Sequence, residues 1–181
     1  MCDIPNEIEI APRVLRCLSA LTLILFLCVA MSPAQAQQAA NSLLHKEAPE
    51  FVRTDLNNRK LDLHAYRGKV VLLDFWATWC APCLLDMPRF AAWQTRYGPR
   101  GLRIIAISMD DDPALARKLC EKLRLNYPVA MGDEQLGLLY GGVLGLPMTF
   151  LIDAQGKVQA QFQGETDLNM IERQLKPLLR P

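Results

Sequence analysis

Two long apolar runs dominate the pattern. Lys69–Trp76 (KVVLLDFW) and Leu102–Met109 (LRIIAISM) are continuous and rich in β-branched residues, which predicts central strands buried on both faces. Ahead of them, Glu50–Thr54 and Lys60–Leu63 flank an Asn57-Asn58 turn and read as an N-terminal β-hairpin. After the first run, Pro82 suits the first turn of a helix that reaches Tyr97 and stops at Gly98-Pro99, with Pro88 expected to kink it. Asp112-Pro113 predicts an N-cap and first position of another helix, with Leu115, Leu119 and Leu123 on its buried face. Tyr127–Met131 reads as a short strand and Asp133–Tyr140 as a short helix closed by Gly141-Gly142. Met148–Ile152 and Val158–Phe162 flank a DAQG turn, giving a second hairpin. The chain closes on an amphipathic helix, Asp167–Leu179, with Leu168, Ile171, Leu175 and Leu178 inward. The order β-β-β-α-β-α-β-α-β-β-α predicts one α/β domain. Its central sheet is mixed, parallel in the middle and antiparallel at the end, flanked by helices.

The N-terminus has a different pattern. Arg13 and Arg16 precede an apolar run, Leu18–Met31, and then the small residues Ala34 and Ala36. This is the layout of an export signal cleaved after Ala36. The run is shorter than the roughly 20 residues that cross a bilayer, but a retained anchor stays an alternative. Asp3, Glu7 and Glu9 are out of place ahead of such a signal, which suggests a true start near Val14 or Leu15. The reading is therefore 1–36 signal peptide or anchor, 37–48 linker, and 49–181 folded domain. Hydrophobic residues make up 51% of the 181, enough for a core without the first 36. The net charge of +1 provides no broad basic field for nucleic acid or anionic lipid. Membrane contact would come only through an uncleaved N-terminus.

Cleavage would remove Cys2, Cys17 and Cys28 and leave Cys80, Cys83 and Cys120. Three cysteines supply one redox pair and one spare, in a compartment where disulfides persist. Cys80 and Cys83 form a C-x-x-C at a strand-to-helix junction. There the helix dipole and its free N–H groups favour a thiolate on Cys80, making it the attacking sulfur. Cys83, one turn further in, can resolve the mixed disulfide. Asp74 lies inside the buried run. Burial should raise its pKa and suit it to exchange protons with Cys83; an inert hydrogen-bonded aspartate is the alternative. Zinc would need two more ligands, and Cys120, His45 and His64 are scattered. Copper(I) held by Cys80, Cys83 and a methionine such as Met148 is a further alternative. Cys120 reads as a half-buried inert thiol, with a regulatory or intermolecular disulfide as the alternative.

The block GKVVLLDFWATWCAPC, with APEF before it, Pro88 after it and GLPMTFLID at 145–153, resembles the thioredoxin superfamily. Within it, the resemblance is to the exported TlpA/ResA-like thiol–disulfide oxidoreductases. It spans about residues 48–180 and implies a thioredoxin-like fold with an N-terminal β-hairpin and a central helix insert. It implies a redox-active Cys80–Cys83 disulfide with no other cofactor and no metal. It also implies a cis Leu146-Pro147 bond facing the cysteines and a substrate groove formed with Trp79, Ala81 and Pro82. Trp79 is expected to cover Cys80, and Trp76 to be packing. Many relatives in this branch carry Asn at the position of Asp74, and often Glu at that of Asp86. Asp86 is accordingly either an active-site acid or a solvated helix residue.

The function implied is a periplasmic oxidoreductase that reduces disulfides in envelope proteins, as in cytochrome c maturation, supplied by an inner-membrane thiol reductant. The alternatives are a disulfide-donating oxidant of the same fold and a copper(I) carrier. A peroxidase would need a Pro-x-x-x-Thr pattern before its cysteine, and Phe75–Cys80 contains no proline.

Overall fold

A computed structural model describes residues 43–143 and 145–180. The expected signal segment, 1–36, lies outside the described residues. No helix among the described residues is long and apolar enough to cross a membrane.

Strands β1 (Val52–Thr54) and β2 (Lys60–Asp62) form the expected antiparallel hairpin. Its turn is tied by Asp55, whose Oδ1 accepts from the N–H groups of Asn57 and Arg59 at 2.8 Å each. A 3-10 turn, Leu63–Tyr66, follows; the sequence pattern did not announce it. The central sheet has the order β5-β4-β3-β6-β7. It comprises β3 (Val70–Trp76), β4 (Leu102–Ser108), β5 (Val129–Met131), β6 (Met148–Ile152) and β7 (Val158–Gln163). β3, β4 and β5 run parallel, and β6 and β7 are antiparallel to their neighbours, as the pattern predicted. Every residue of β3 is buried, which fits a central strand covered on both faces.

Helix α1 (Ala81–Tyr97) continues through Pro88. Helix α2 (Pro113–Leu123) starts at the Asp112 cap, whose side chain accepts from Ala114 N–H. Helix α3 spans Glu134–Leu139 and α4 spans Leu168–Leu175. Two expectations need correction. Leu115 is 53% exposed; α2 packs instead through Ala116, with Leu119, Cys120 and Leu123 partly buried. The last helix changes to a 3-10 turn at Lys176–Leu178, because Pro177 has no N–H to continue the α pattern.

Two cores flank the sheet. One contains Leu72 and Trp76 of β3, Cys80, and Cys83, Met87, Phe90 and Trp93 of α1. The other contains Val71, Leu73 and Phe75 with Phe51, Leu61, Leu136, Tyr140 and Phe150. Residues 43–48, read as the end of a linker, are bonded to the fold. His45 N–H donates to Val158 O, Val158 N–H to Lys46 O, and Ala48 N–H to Gly156 O.

Candidate active site

Trp76 ends β3, as the apolar run predicted, and Cys80 lies beyond it. Ala77, Thr78 and Trp79 intervene in a turn closed by Cys80 N–H donating to Ala77 O at 3.1 Å. Cys80 is the N-cap of α1, and its Sγ accepts from the Cys83 N–H at 3.3 Å. That first-turn N–H, with the positive end of the helix dipole, stabilises negative charge on Cys80 when the bond is reduced. The two cysteines are joined as a disulfide. Cys80 is 4% exposed and Cys83 fully buried, so Cys80 is the sulfur nearer to solvent.

Strand residues alternate between faces, and Leu72 and Trp76 belong to the core that holds both cysteines. Asp74 falls in the same phase and therefore stands on the cysteine side of the sheet. Its register partner on β6, Thr149, donates Oγ1–H to Asp74 Oδ1 at 2.9 Å. Burial drives the Asp74 carboxyl up to about 8; the Thr149 hydrogen bond opposes the rise, and the Asp86 carboxylate adds to it. Asp86 is half-buried in α1, and burial, then the Glu165 charge, pushes it up to about 6. Its charge is felt at Asp74, as the smallest of the three influences there.

The Leu146-Pro147 peptide is cis. Pro147 precedes Met148, whose partner is Phe75, so it lies at the end of β3 from which the chain leads to Cys80. Trp79 is 71% exposed and stands clear of the core, whereas Trp76 is fully buried, its Nε1 without a partner. Ala81 is exposed, and Pro82 and Leu146 are half-buried. Cys120 lies on α2, and burial pushes its thiol up to about 11. No group of three or more His, Cys, Asp or Glu side chains that could hold a metal ion occurs among the described residues.

The pattern did not single out Asp110. It is buried behind the turn, and its carboxylate accepts from Thr78 N–H at 3.1 and 3.0 Å and from Thr78 Oγ1 at 2.6 Å. Nothing in a run of three aspartates distinguishes this one from its exposed neighbours.

Residues 44–161 match the profile of the AhpC/TSA family. The chain belongs to that family. Among AhpC/TSA relatives, it is 38% identical over 133 residues to the thiol-disulfide oxidoreductase ResA of Bacillus thuringiensis subsp. konkukian (strain 97-27), covering 74% of this chain and 77% of the relative. It is 31% identical over 135 residues to ResA of Bacillus subtilis (strain 168), covering 75% of each. A crystal structure from Chlorobium tepidum, described as a candidate thiol:disulfide interchange protein DsbE, superposes with a TM-score of 0.68 at 32% identity. That match covers 73% of this chain and 94% of the other. This AhpC/TSA protein is a thioredoxin-fold thiol–disulfide oxidoreductase of the ResA-like group, and its Cys80–Cys83 pair is where a redox disulfide belongs.

Proposed function

We propose that this protein is exported to the periplasm and reduces disulfides in envelope proteins, of which oxidised apocytochrome c is the example its resemblance suggests. The observation that carries the exchange chemistry is the buried Asp74–Thr149 pair on the cysteine side of β3, and the reducing direction is the one the resemblance implies. It provides a carboxyl that titrates near neutral pH where the resolving thiol must lose its proton.

In this reading the Cys80 thiolate attacks the substrate disulfide and displaces one substrate thiol. Asp74 accepts the proton of Cys83, and the Cys83 thiolate attacks Cys80 Sγ. The second substrate sulfur leaves, and the protein retains the Cys80–Cys83 disulfide. Two electrons have moved to the substrate, so an inner-membrane thiol reductant must restore the dithiol. The electrons reside in the two sulfurs, and the cycle needs no further cofactor and no metal. Trp79, Ala81 and Pro82 on one side and Leu146 and Pro147 on the other form the groove that receives the substrate chain. Asp86 modulates Asp74.

The deciding experiment is the reduction potential of Cys80–Cys83, equilibrated against dithiothreitol or glutathione. A value at or below about −250 mV supports the reductase; one above about −150 mV makes the protein a disulfide donor and overturns this reading. Fractionation and N-terminal sequencing of the exported form test the location. Recovery of the whole chain in the cytoplasm refutes it.

A further inference from the structure

Asp110 has no part in the exchange steps above, yet the chain that delivers Cys80 is built against it. Asp110 is 7% exposed and stands two residues beyond the end of β4. It receives both donors of Thr78, the backbone N–H through either oxygen (3.1 and 3.0 Å) and the hydroxyl at 2.6 Å. Ser108, fully buried, donates Oγ–H to Asp110 Oδ2 at 2.8 Å and accepts from Asp110 N–H at 3.2 Å, so the carboxylate is itself held. Met109 N–H donates to Trp76 O at 2.8 Å and closes the frame between the ends of β3 and β4. Thr78 lies in the middle of the Ala77–Cys80 turn. Its anchorage therefore determines where Cys80 enters α1 and where its sulfur lies relative to Cys83.

We propose that Asp110 is a positioning residue of the redox centre, which through Thr78 fixes the Ala77–Cys80 turn and so favours the closed disulfide over the dithiol. Two physical effects act in the same direction. A fixed turn raises the effective concentration of one sulfur at the other, which the dithiol form does not require. A carboxylate held beside the turn disfavours a thiolate on Cys80, which only the reduced form can carry. Both stabilise the oxidised form relative to the reduced form and make the pair a stronger reductant.

The test is the equilibrium in which the protein disulfide and two glutathiones give the protein dithiol and one glutathione disulfide. It is measured on the whole protein for Asp110→Asn, Thr78→Val and Thr78→Ser. Asp110→Asn keeps the shape but loses the charge and one acceptor, and Thr78→Val keeps the N–H and loses the hydroxyl. Both should raise the equilibrium constant, Asp110→Asn by about tenfold (about 30 mV) and Thr78→Val by less, while Thr78→Ser restores it. The midpoint of the pH profile for Cys80 alkylation in the reduced protein should fall in Asp110→Asn. A merely structural role would destabilise the oxidised and reduced forms equally and leave the constant unchanged. Constants within twofold of the parent in both Asp110→Asn and Thr78→Val overturn the proposal. If Asp110→Asn does not fold, the Thr78 pair alone decides, since a constant raised by Val and restored by Ser supports it and any other result refutes it.

Discussion

Replacing Asp74 by Asn removes the ionisation of this carboxyl while retaining its shape and an oxygen to accept from Thr149. In the unfolded chain the group titrates at its ordinary 3.8, and in the fold at about 8. Between those values the native state holds a proton that the unfolded state has released, so stability falls as pH rises through that window and is level outside it. About four units at about 1.36 kcal/mol each set a ceiling of roughly 6 kcal/mol on the loss. Local relaxation and water entry reduce it, and a loss of about 2 kcal/mol or more attributable to Asp74 is expected. The assay is urea denaturation of the oxidised protein from pH 4 to about pH 10, for the parent and for Asp74→Asn. Asp86, raised to about 6, contributes a smaller fall of the same sign to both proteins and cancels in their difference. The parent should lose stability relative to the variant across pH 4–8, and the two should run parallel above about pH 9. Curves parallel across the whole range would show that Asp74 ionises normally in the fold, and its role as the proton acceptor of Cys83 would fall with it. The same variant should slow disulfide reduction most near neutral pH, where the acceptor is needed.

Cys80→Ser should abolish turnover in an insulin reduction assay, while Cys83→Ser should accumulate mixed disulfides visible on a non-reducing gel; full activity in Cys80→Ser would refute the exchange mechanism. In the reduced protein at pH 7, iodoacetamide should label Cys80 well before Cys120, whose thiol is pushed up to about 11; equal labelling rates would contradict its burial. Gly156→Ala should cost about 1–3 kcal/mol on urea denaturation, because a Cβ there would lie 1.3 Å from Arg67 Nη1 on a backbone at φ +86°. That residue would also displace Arg67 from Glu47 and Glu50. Tyr97→Phe should cost about 1–2 kcal/mol, since the Tyr97 hydroxyl donates to the Glu172 carboxylate; an unchanged melting point would show that Arg89, Arg96 and Lys176 suffice for Glu172.

The strands were legible because burial on both faces leaves a direct mark. Val70–Trp76 and Leu102–Ser108 are apolar runs that no half-exposed element would tolerate, and both lie at the centre of the sheet. Helix starts were legible where a cap stands beside a proline, as at Asp112-Pro113. The Cys80–Cys83 spacing and the acid at Asp74 likewise stand out as local chemistry inside an apolar stretch. Which of several neighbouring apolar side chains on a short helix is covered was not legible. Leu115 has the right spacing for the core, but the neighbours of α2 favour Ala116.

The sequence by itself determined the element order, the α/β class, the cysteine pair and the buried acid, since each depends on periodicity or on residues close together in the chain. Only the tertiary structure decided which side of β3 Asp74 occupies relative to the cysteines, because that depends on which core the helix carrying Cys83 covers. It likewise decided that Asp110, among three consecutive aspartates, is the one that holds Thr78. The two residues are 32 positions apart, and parallel pairing of β3 with β4 brings their strand ends together. Contacts of that kind leave no periodic trace, because they arise where separate elements end side by side.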